Sequence, residues 1–221
     1  MRILIIGYGK MGKMVKDVAK KRGHTVGFCI DKTEDWQQLN GEFDVAIDFS
    51  MPEIVQQNIM RCFELNIPIV VGTTGSWLNE LDKLKTYCFE NGKSLFYSSN
   101  FSLGVFLFNK INVFTAQLLS PHREYKAPTI TEIHHIHKVD KPSGTALTLA
   151  KSMEQYYQNT EIESVREGEV FGVHQVKYQS DVDFISLKHE AKSREGFALG
   201  SLIAAEFLVG RRGVFTMKDL I

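Results

Sequence analysis

The densest run of chemically capable side chains in the sequence is Glu132-Ile133-His134-His135-Ile136-His137-Lys138-Val139-Asp140-Lys141-Pro142-Ser143-Gly144-Thr145. Read as a strand, its first residues alternate with a period of two, so Glu132 and His134 share one face and His135 and His137 the other. Histidines divided in this way are poorly placed to share a metal. Neither a cysteine ligand set nor an HExxH pattern completes a zinc site, so no metal is expected. Pro142 ends the extended run, and Ser143-Gly144-Thr145 ahead of an apolar stretch through Leu149 predicts a helix N-terminus. Such a terminus, flanked by Lys138 and Lys141, can hold a carboxylate through charge-assisted hydrogen bonds, while a histidine, titrating near neutrality, transfers a proton. A basic surface loop followed by a capped helix accounts for the same residues without chemistry.

A second constellation opens the chain. Gly7-Tyr8-Gly9-Lys10-Met11-Gly12 is a GxGxxG placed directly after an apolar run, Arg2 to Ile6, and before a helical pattern. The three glycines permit a tight turn, close approach of a pyrophosphate and close helix–strand packing, and the helix start offers unpaired N–H groups to phosphate. Asp31, about 20 residues on, stands where an acidic residue would accept hydrogen bonds from the ribose hydroxyls of NADH. Lys32 beside it could hold the extra phosphate of NADPH or be a solvated loop lysine, so NADH is favoured with dual use open. Two later strand ends, Gly72-Thr73-Thr74-Gly75 and Ser98-Ser99-Asn100-Phe101, carry small residues where ligands of open α/β sheets lie; taken singly, each is also an ordinary turn.

The elements that must position these residues alternate in the first half of the chain. Strands are predicted at Arg2–Ile6, His24–Asp31, Asp44–Ser50, Pro68–Thr73 and Ser94–Asn100. Helices follow the glycine turn as far as Gly23 and cover Pro52–Leu65 and Trp77–Asn91. That alternation predicts a Rossmann-like, doubly wound parallel sheet. Between Asp31 and Asp44 there is room for a loop or a single turn. After Asn100 the pattern changes. A buried helix is expected over Leu103–Leu119, then strands at Thr129–His135, Val170–Gln179 and Val182–Ala191, which predicts an α+β region with a mixed or antiparallel sheet. The Phe197–Val209 helix, apolar nearly all round, is expected at a domain junction.

Bulk properties set limits. The 221 residues carry 26 basic and 26 acidic side chains, so no net field draws the chain to nucleic acid or to an anionic membrane. At 43% hydrophobic and 24% charged it is an ordinary globular composition with no stretch long enough to span a bilayer. The apolar start is too short for a signal peptide, and Cys29, Cys62 and Cys88 have neither disulfide nor metal spacing, so a cytoplasmic protein with buried thiols is expected.

The segment from His134 to Ala146, HHxHKxDxPSGTA, resembles the signature of the 4-hydroxy-tetrahydrodipicolinate (dihydrodipicolinate) reductase family. The resemblance extends over nearly the whole chain. It includes Gly7 to Gly12, Asp44-Val45-Ala46-Ile47-Asp48-Phe49-Ser50, Gly72 to Gly75, Asn100 to Val105, and Arg166-x-Gly168 with Gly172-x-His174. It implies NAD(P)H-dependent reduction at C4 of dihydrodipicolinate, formed by loss of water from the hydroxylated substrate, in the diaminopimelate route to lysine. It also implies that His134 is the proton donor and Lys138 the second catalytic residue. His135, Lys138, Ser143, Gly144 and Thr145 would bind the dicarboxylate. Gly7, Tyr8, Gly9, Lys10, Met11, Gly12, Asp31, Lys32, Gly72, Thr73, Thr74, Ser98, Ser99, Asn100 and Phe101 would line the dinucleotide. The expected domains are 1–102 with 195–221 for the cofactor and 103–194 for substrate and oligomerisation, closing on one another in a homotetramer. The chain departs from the family pattern in its short Asp31 to Asp44 segment, in Lys141 where alanine is usual, and in Ser98-Ser99 before Asn-Phe. A different Rossmann-type oxidoreductase acting on a small carboxylate, or a non-catalytic NAD(P)H sensor, would share the cofactor motif but not the need for a proton donor beside an anion site.

Overall fold

The computed structural model describes all 221 residues and divides them into two compact units, Met1–Ser102 with Glu195–Ile221, and Leu103–Arg194. The first unit begins with strand β1 (Arg2–Ile6), whose last four side chains are buried. Helix α1 (Lys10–Lys21) follows and turns Val15, Val18 and Ala19 inward. Strand β2 (Thr25–Ile30) leads into a short 3-10 turn at Thr33–Gln38, which is all that the Asp31 to Asp44 segment holds. Strand β3 (Val45–Asp48), helix α2 (Val55–Glu64), strand β4 (Ile69–Val71), helix α3 (Leu81–Asn91) and strand β5 (Ser94–Tyr97) complete the alternation. The predicted Trp77–Asn91 helix is thus shorter than expected, because Ser76–Glu80 forms a 3-10 turn ahead of it.

The second unit starts with helix α4 (Leu103–Leu119) and strand β6 (Thr129–His134). Helix α5 (Gly144–Met153) comes next, then strands β7 (Glu161–Arg166), β8 (Val173–Gln179) and β9 (Phe184–Glu190). The sheet order is β7-β6-β8-β9. β6 pairs parallel with β7 and antiparallel with β8, and β9 pairs antiparallel with β8. The sheet is mixed, and β7 is a strand that the sequence reading omits. Ile130, Val176, Tyr178, Phe108, Ala116, Leu149 and Met153 form the core of this unit. The Tyr178 hydroxyl donates to Asn112 Oδ1 at 2.7 Å, which satisfies two polar groups inside that core.

Helix α4 departs from the expectation of full burial. Phe108, Asn112 and Ala116 are covered, whereas Leu107, Ile111, Phe114 and Leu118 are exposed. The cause is partnership: one side of the helix meets α5 and β9, and the apolar side chains at helical spacing on the other side are left largely uncovered.

The chain returns to the first unit through helix α6 (Glu195–Leu208) and strand β10 (Gly213–Phe215). With β10 in place the six-stranded sheet runs β10-β5-β4-β3-β1-β2, every pair parallel. Its strands carry near-continuous apolar runs because both faces are covered, the hallmark of a parallel sheet. α6 lies against α1, β3, β4 and β5, where its buried residues, Ala198, Gly200, Ser201, Ala204 and Ala205 among them, are small enough for close helix–sheet approach. Glu206 pins it by accepting from Arg22 Nε at 3.0 Å and Nη2 at 2.8 Å, with His24 Nε2 at 2.7 Å.

Candidate active site

In the first unit the predicted cofactor residues gather at the carboxyl ends of parallel strands. Gly7 to Gly12 form the turn from β1 into α1, Asp31 and Lys32 follow β2, Gly72 to Thr74 follow β4, and Ser98 to Phe101 follow β5. The glycine turn has the form a pyrophosphate needs. Gly7 has φ +85, and a Cβ on Gly12 would stand 2.1 Å from the Gly7 carbonyl oxygen. Gly9, in contrast, faces open space within 4 Å of where its Cβ would be, so a ligand can reach that backbone. Asp31 accepts from the Tyr8 amide at 3.2 Å, which ties the β2 end to the glycine turn. The Asp35 carboxylate accepts from the amides of Asp31 and Lys32 at 2.8 Å each, and these bonds hold its pKa below the ordinary value. A cavity beside them is bordered by Gly7, Asp31, Trp36, Ser50, Asn58 and Arg61, with the Arg61 guanidinium over the Trp36 ring.

Some of these residues serve the scaffold. Thr73 Oγ1 donates to Asp48 Oδ1 at 2.9 Å, and Asp48 also accepts from the Ser50 amide and hydroxyl and from Asn58 Nδ2. Asp48 is completely buried; burial raises its pKa against the pull of those four bonds. Sequence reasoning quoted Asp48 within a motif but did not see that it knots the ends of β3 and β4. Ser98 Oγ bonds the amide and carbonyl of Asn100, which shapes the turn after β5. The Phe101 ring is core, packed on Phe96 and Phe49, so only its backbone is available to a ligand.

In the second unit the period-two reading of β6 holds: Ile130, Glu132 and His134 are inward. Register supplies their neighbours. Glu132 is the cross-strand partner of His174 on β8, and His134 is the partner of Arg166 on β7. Glu132 has no exposed surface and takes three donors. His134 Nδ1 bonds Oε2, while Arg166 Nη2 at 3.0 Å and the Ser143 amide at 3.3 Å bond Oε1. Burial pushes this carboxyl up, but the hydrogen bonds led by Arg166 outweigh it, and the pKa lies below the ordinary value. Burial lowers the pKa of His134, with Glu132 opposing, and lowers that of His174 to about 4. The two imidazoles meet edge to face at 5.1 Å, and Ser143 Oγ lies 3.2 Å from His174 Nε2. Glu132, His134 and His174 offer ligand atoms within 4.8 Å of one another. The Arg166 guanidinium already stands where a cation would balance the carboxylate, so the cluster reads as a hydrogen-bonded network.

Beside the network lies the segment expected to hold an anion. Ser143 caps α5, its Oγ accepting from the Ala146 amide at 3.2 Å, while Gly144 is exposed and Thr145 half-buried at the helix start. Lys138 Nζ donates to Asp140 Oδ1 at 2.6 Å. The Lys138 ammonium, with the Gly144 amide contributing, holds the Asp140 carboxyl below its ordinary range. The chain therefore places a carboxylate of its own against the lysine and the helix N-terminus. β6 ends at His134, short of the predicted strand, so His135 is half-buried just past it and His137, in the turn that follows, pairs with Glu169 at the surface; the two do not share a strand face. Ser143 differs from its expected role, since both its amide and its hydroxyl are engaged within the protein. Arg166, Gly172 and His174, present in motifs noted above but given no role there, are brought in by strands whose register the sequence does not specify.

Residues 1–101 match the family model described as dihydrodipicolinate reductase, N-terminus, and residues 104–221 the model for its C-terminus. A 4-hydroxy-tetrahydrodipicolinate reductase of Christiangramia forsetii is 41% identical over all of this chain and 98% of its own length. One from Thermosipho africanus is 35% identical with the same coverage. In fold, the chain is similar to a dipicolinate-bound dihydrodipicolinate reductase from Paenisporosarcina sp. TG-14, with a TM-score of 0.78 at 19% identity and full coverage of both chains.

Proposed function

The chain belongs to the dihydrodipicolinate reductase family, oxidoreductases of lysine and diaminopimelate biosynthesis that use a nicotinamide cofactor, and from that premise we propose how its own residues divide the work. The first unit binds the dinucleotide at the Gly7 to Gly12 turn, with Asp31 on the adenosine ribose, and the second binds the dicarboxylate and supplies the proton. When bound, the cofactor contributes a hydride to C4 of the substrate.

The carrying observation is that His134 sits in a buried, hydrogen-bonded network beside an anion site made of Lys138 and the start of α5. A substrate carboxylate takes over the position of the Asp140 carboxylate at Lys138 and the Gly144 amide, with Thr145 and His135 completing its contacts. Its negative charge raises the proton affinity of His134, which burial, Lys138 and Arg166 depress, so the imidazolium is populated when substrate is present. His134 then delivers the proton that neutralises the charge left by hydride addition, and Lys138 stabilises that charge while it develops.

Two carboxylates, Asp31 and Asp35, stand at the end of β2 where the 2′ position of an adenosine ribose would lie, which supports NADH over NADPH with Lys32 permitting some use of both. No helix is long and apolar enough to cross a membrane. The exposed apolar stripe of α4 supports a homotetramer assembled through the second unit.

The test is a coupled assay: substrate made in situ from pyruvate and aspartate semialdehyde by its synthase, with NADH and NADPH followed separately. Oxidation dependent on both proteins, faster with NADH, and reduced roughly 100-fold or more in His134→Gln, is expected. Equal rates with the two cofactors would remove the Asp31 and Asp35 argument, and an unaffected His134→Gln would remove the proton-donor assignment.

A further inference from the structure

We propose that Glu132 is the positioning residue for His134: its carboxylate accepts the Nδ1 proton of the imidazole, fixing the tautomer and leaving Nε2 as the nitrogen that exchanges protons. The inference rests on the reading of His134 as proton donor and adds the group through which that histidine is made ready.

The geometry carries it. Glu132 and His134 are two residues apart on β6 and so point to one face, with Glu132 wholly buried and its Oε2 bonded to His134 Nδ1. The other oxygen, Oε1, is taken by Arg166 Nη2 at 3.0 Å and the Ser143 amide at 3.3 Å. The carboxylate is thus anchored from β7 and from the head of α5, and it cannot turn without breaking both bonds. An ionised carboxylate has acceptors only, so the shared proton belongs to Nδ1. Nε2 in turn borders Gly172, where a Cβ would come within 3.0 Å of it. The residue flanking the working nitrogen is the one that has no side chain.

Charge points the same way. The groups facing His134 are Glu132 from β6, Arg166 from β7, His174 from β8 with His189 behind it on β9, and Lys138 from the loop. Lys138 and Arg166 disfavour the imidazolium, and His174 is neutral. Asp140, an anion of the same loop as Lys138, is paired with that lysine. Glu132 is the group that opposes two cations and the burial of the ring, which together still leave the pKa below its ordinary value.

Three measurements on the full-length protein test the proposal. In uniformly 15N-labelled wild type, with His134 assigned by its loss in His134→Gln, the neutral imidazole should be the Nδ1–H tautomer. In Glu132→Gln, which keeps an acceptor but no charge, the pKa of His134 should fall by about one unit or more. The alkaline limb of kcat/KM should move to lower pH by the same amount, so that turnover at pH 8 drops roughly tenfold or more while NADH affinity stays within about twofold. An Nε2–H tautomer in wild type would overturn the proposal even if Glu132→Gln failed to fold. So would a Glu132→Gln enzyme with an unmoved pH profile, because a merely structural glutamate lowers amount or stability without shifting that limb. Undiminished turnover in His134→Gln would overturn the underlying reading, whatever the tautomer.

Discussion

Gly172 is the position at which a single methyl group interrogates the site most directly. Its φ of +154 lies where side chains are strained, and the added carbon would press on His134 Nε2. Gly172→Ala is expected to lower kcat at least tenfold, roughly 1.4 kcal/mol in the barrier. NADH binding, measured by quenching of protein fluorescence, should be unaffected. His174 makes a prediction about stability. Its pKa in the folded protein, about 4, lies below the ordinary value of 6.5. The unfolded chain therefore binds a proton that the folded chain refuses across that interval. The associated stability is complete above about pH 6.5 and is lost as pH falls toward 4, on the order of 3 kcal/mol in all. His174→Gln should flatten the decline in urea midpoint between pH 7.5 and pH 5. What was readable at this scale was local: His134, Lys138 and Ser143 lie within one short stretch, and alternation alone set Glu132 beside His134. Arg166 and His174 were not readable as partners, because their approach depends on which residues of β7 and β8 stand opposite β6.

Element by element, legibility followed the strength of the apolar pattern. β1 and α4 lie where periodicity puts them, since one is a short unbroken apolar run and the other a long stretch without breakers. β7 escaped because Ser164 and Arg166 hold inward positions while Val165 faces out, and an edge strand half exposed along its length needs no continuous apolar signal. β10, three residues long, is held by its pairing with β5 and has almost no pattern of its own. The turn from β1 into α1 was legible because its glycines are required by contacts within a few residues. Gly12→Ala would place a methyl group against the Gly7 carbonyl and push the helix off the strand. NADH affinity should fall at least tenfold and the melting temperature by several degrees. The titration of His134, in the other unit, should not change.

For the whole molecule, the α4 stripe of Leu107, Ile111, Phe114 and Leu118 is a large apolar surface that the chain itself leaves uncovered. Phe114→Glu sets a charge in its middle, and sedimentation should show a smaller assembly than wild type at equal concentration; an unchanged mass would exclude this face from the interface. The order of the chain has a further consequence. β5 acquires its neighbour β10, and the parallel sheet its covering helix α6, only from residues that follow the entire second unit in sequence. On the ribosome, β5 therefore emerges as a bare strand edge and stays bare while residues 103–194 are synthesised and fold. The first unit begins to form early and is finished last. Its interval of greatest exposure to stray strand pairing is fixed by the time translation takes to cross the second unit, and a slow stretch of codons there would lengthen that interval without altering a single amino acid.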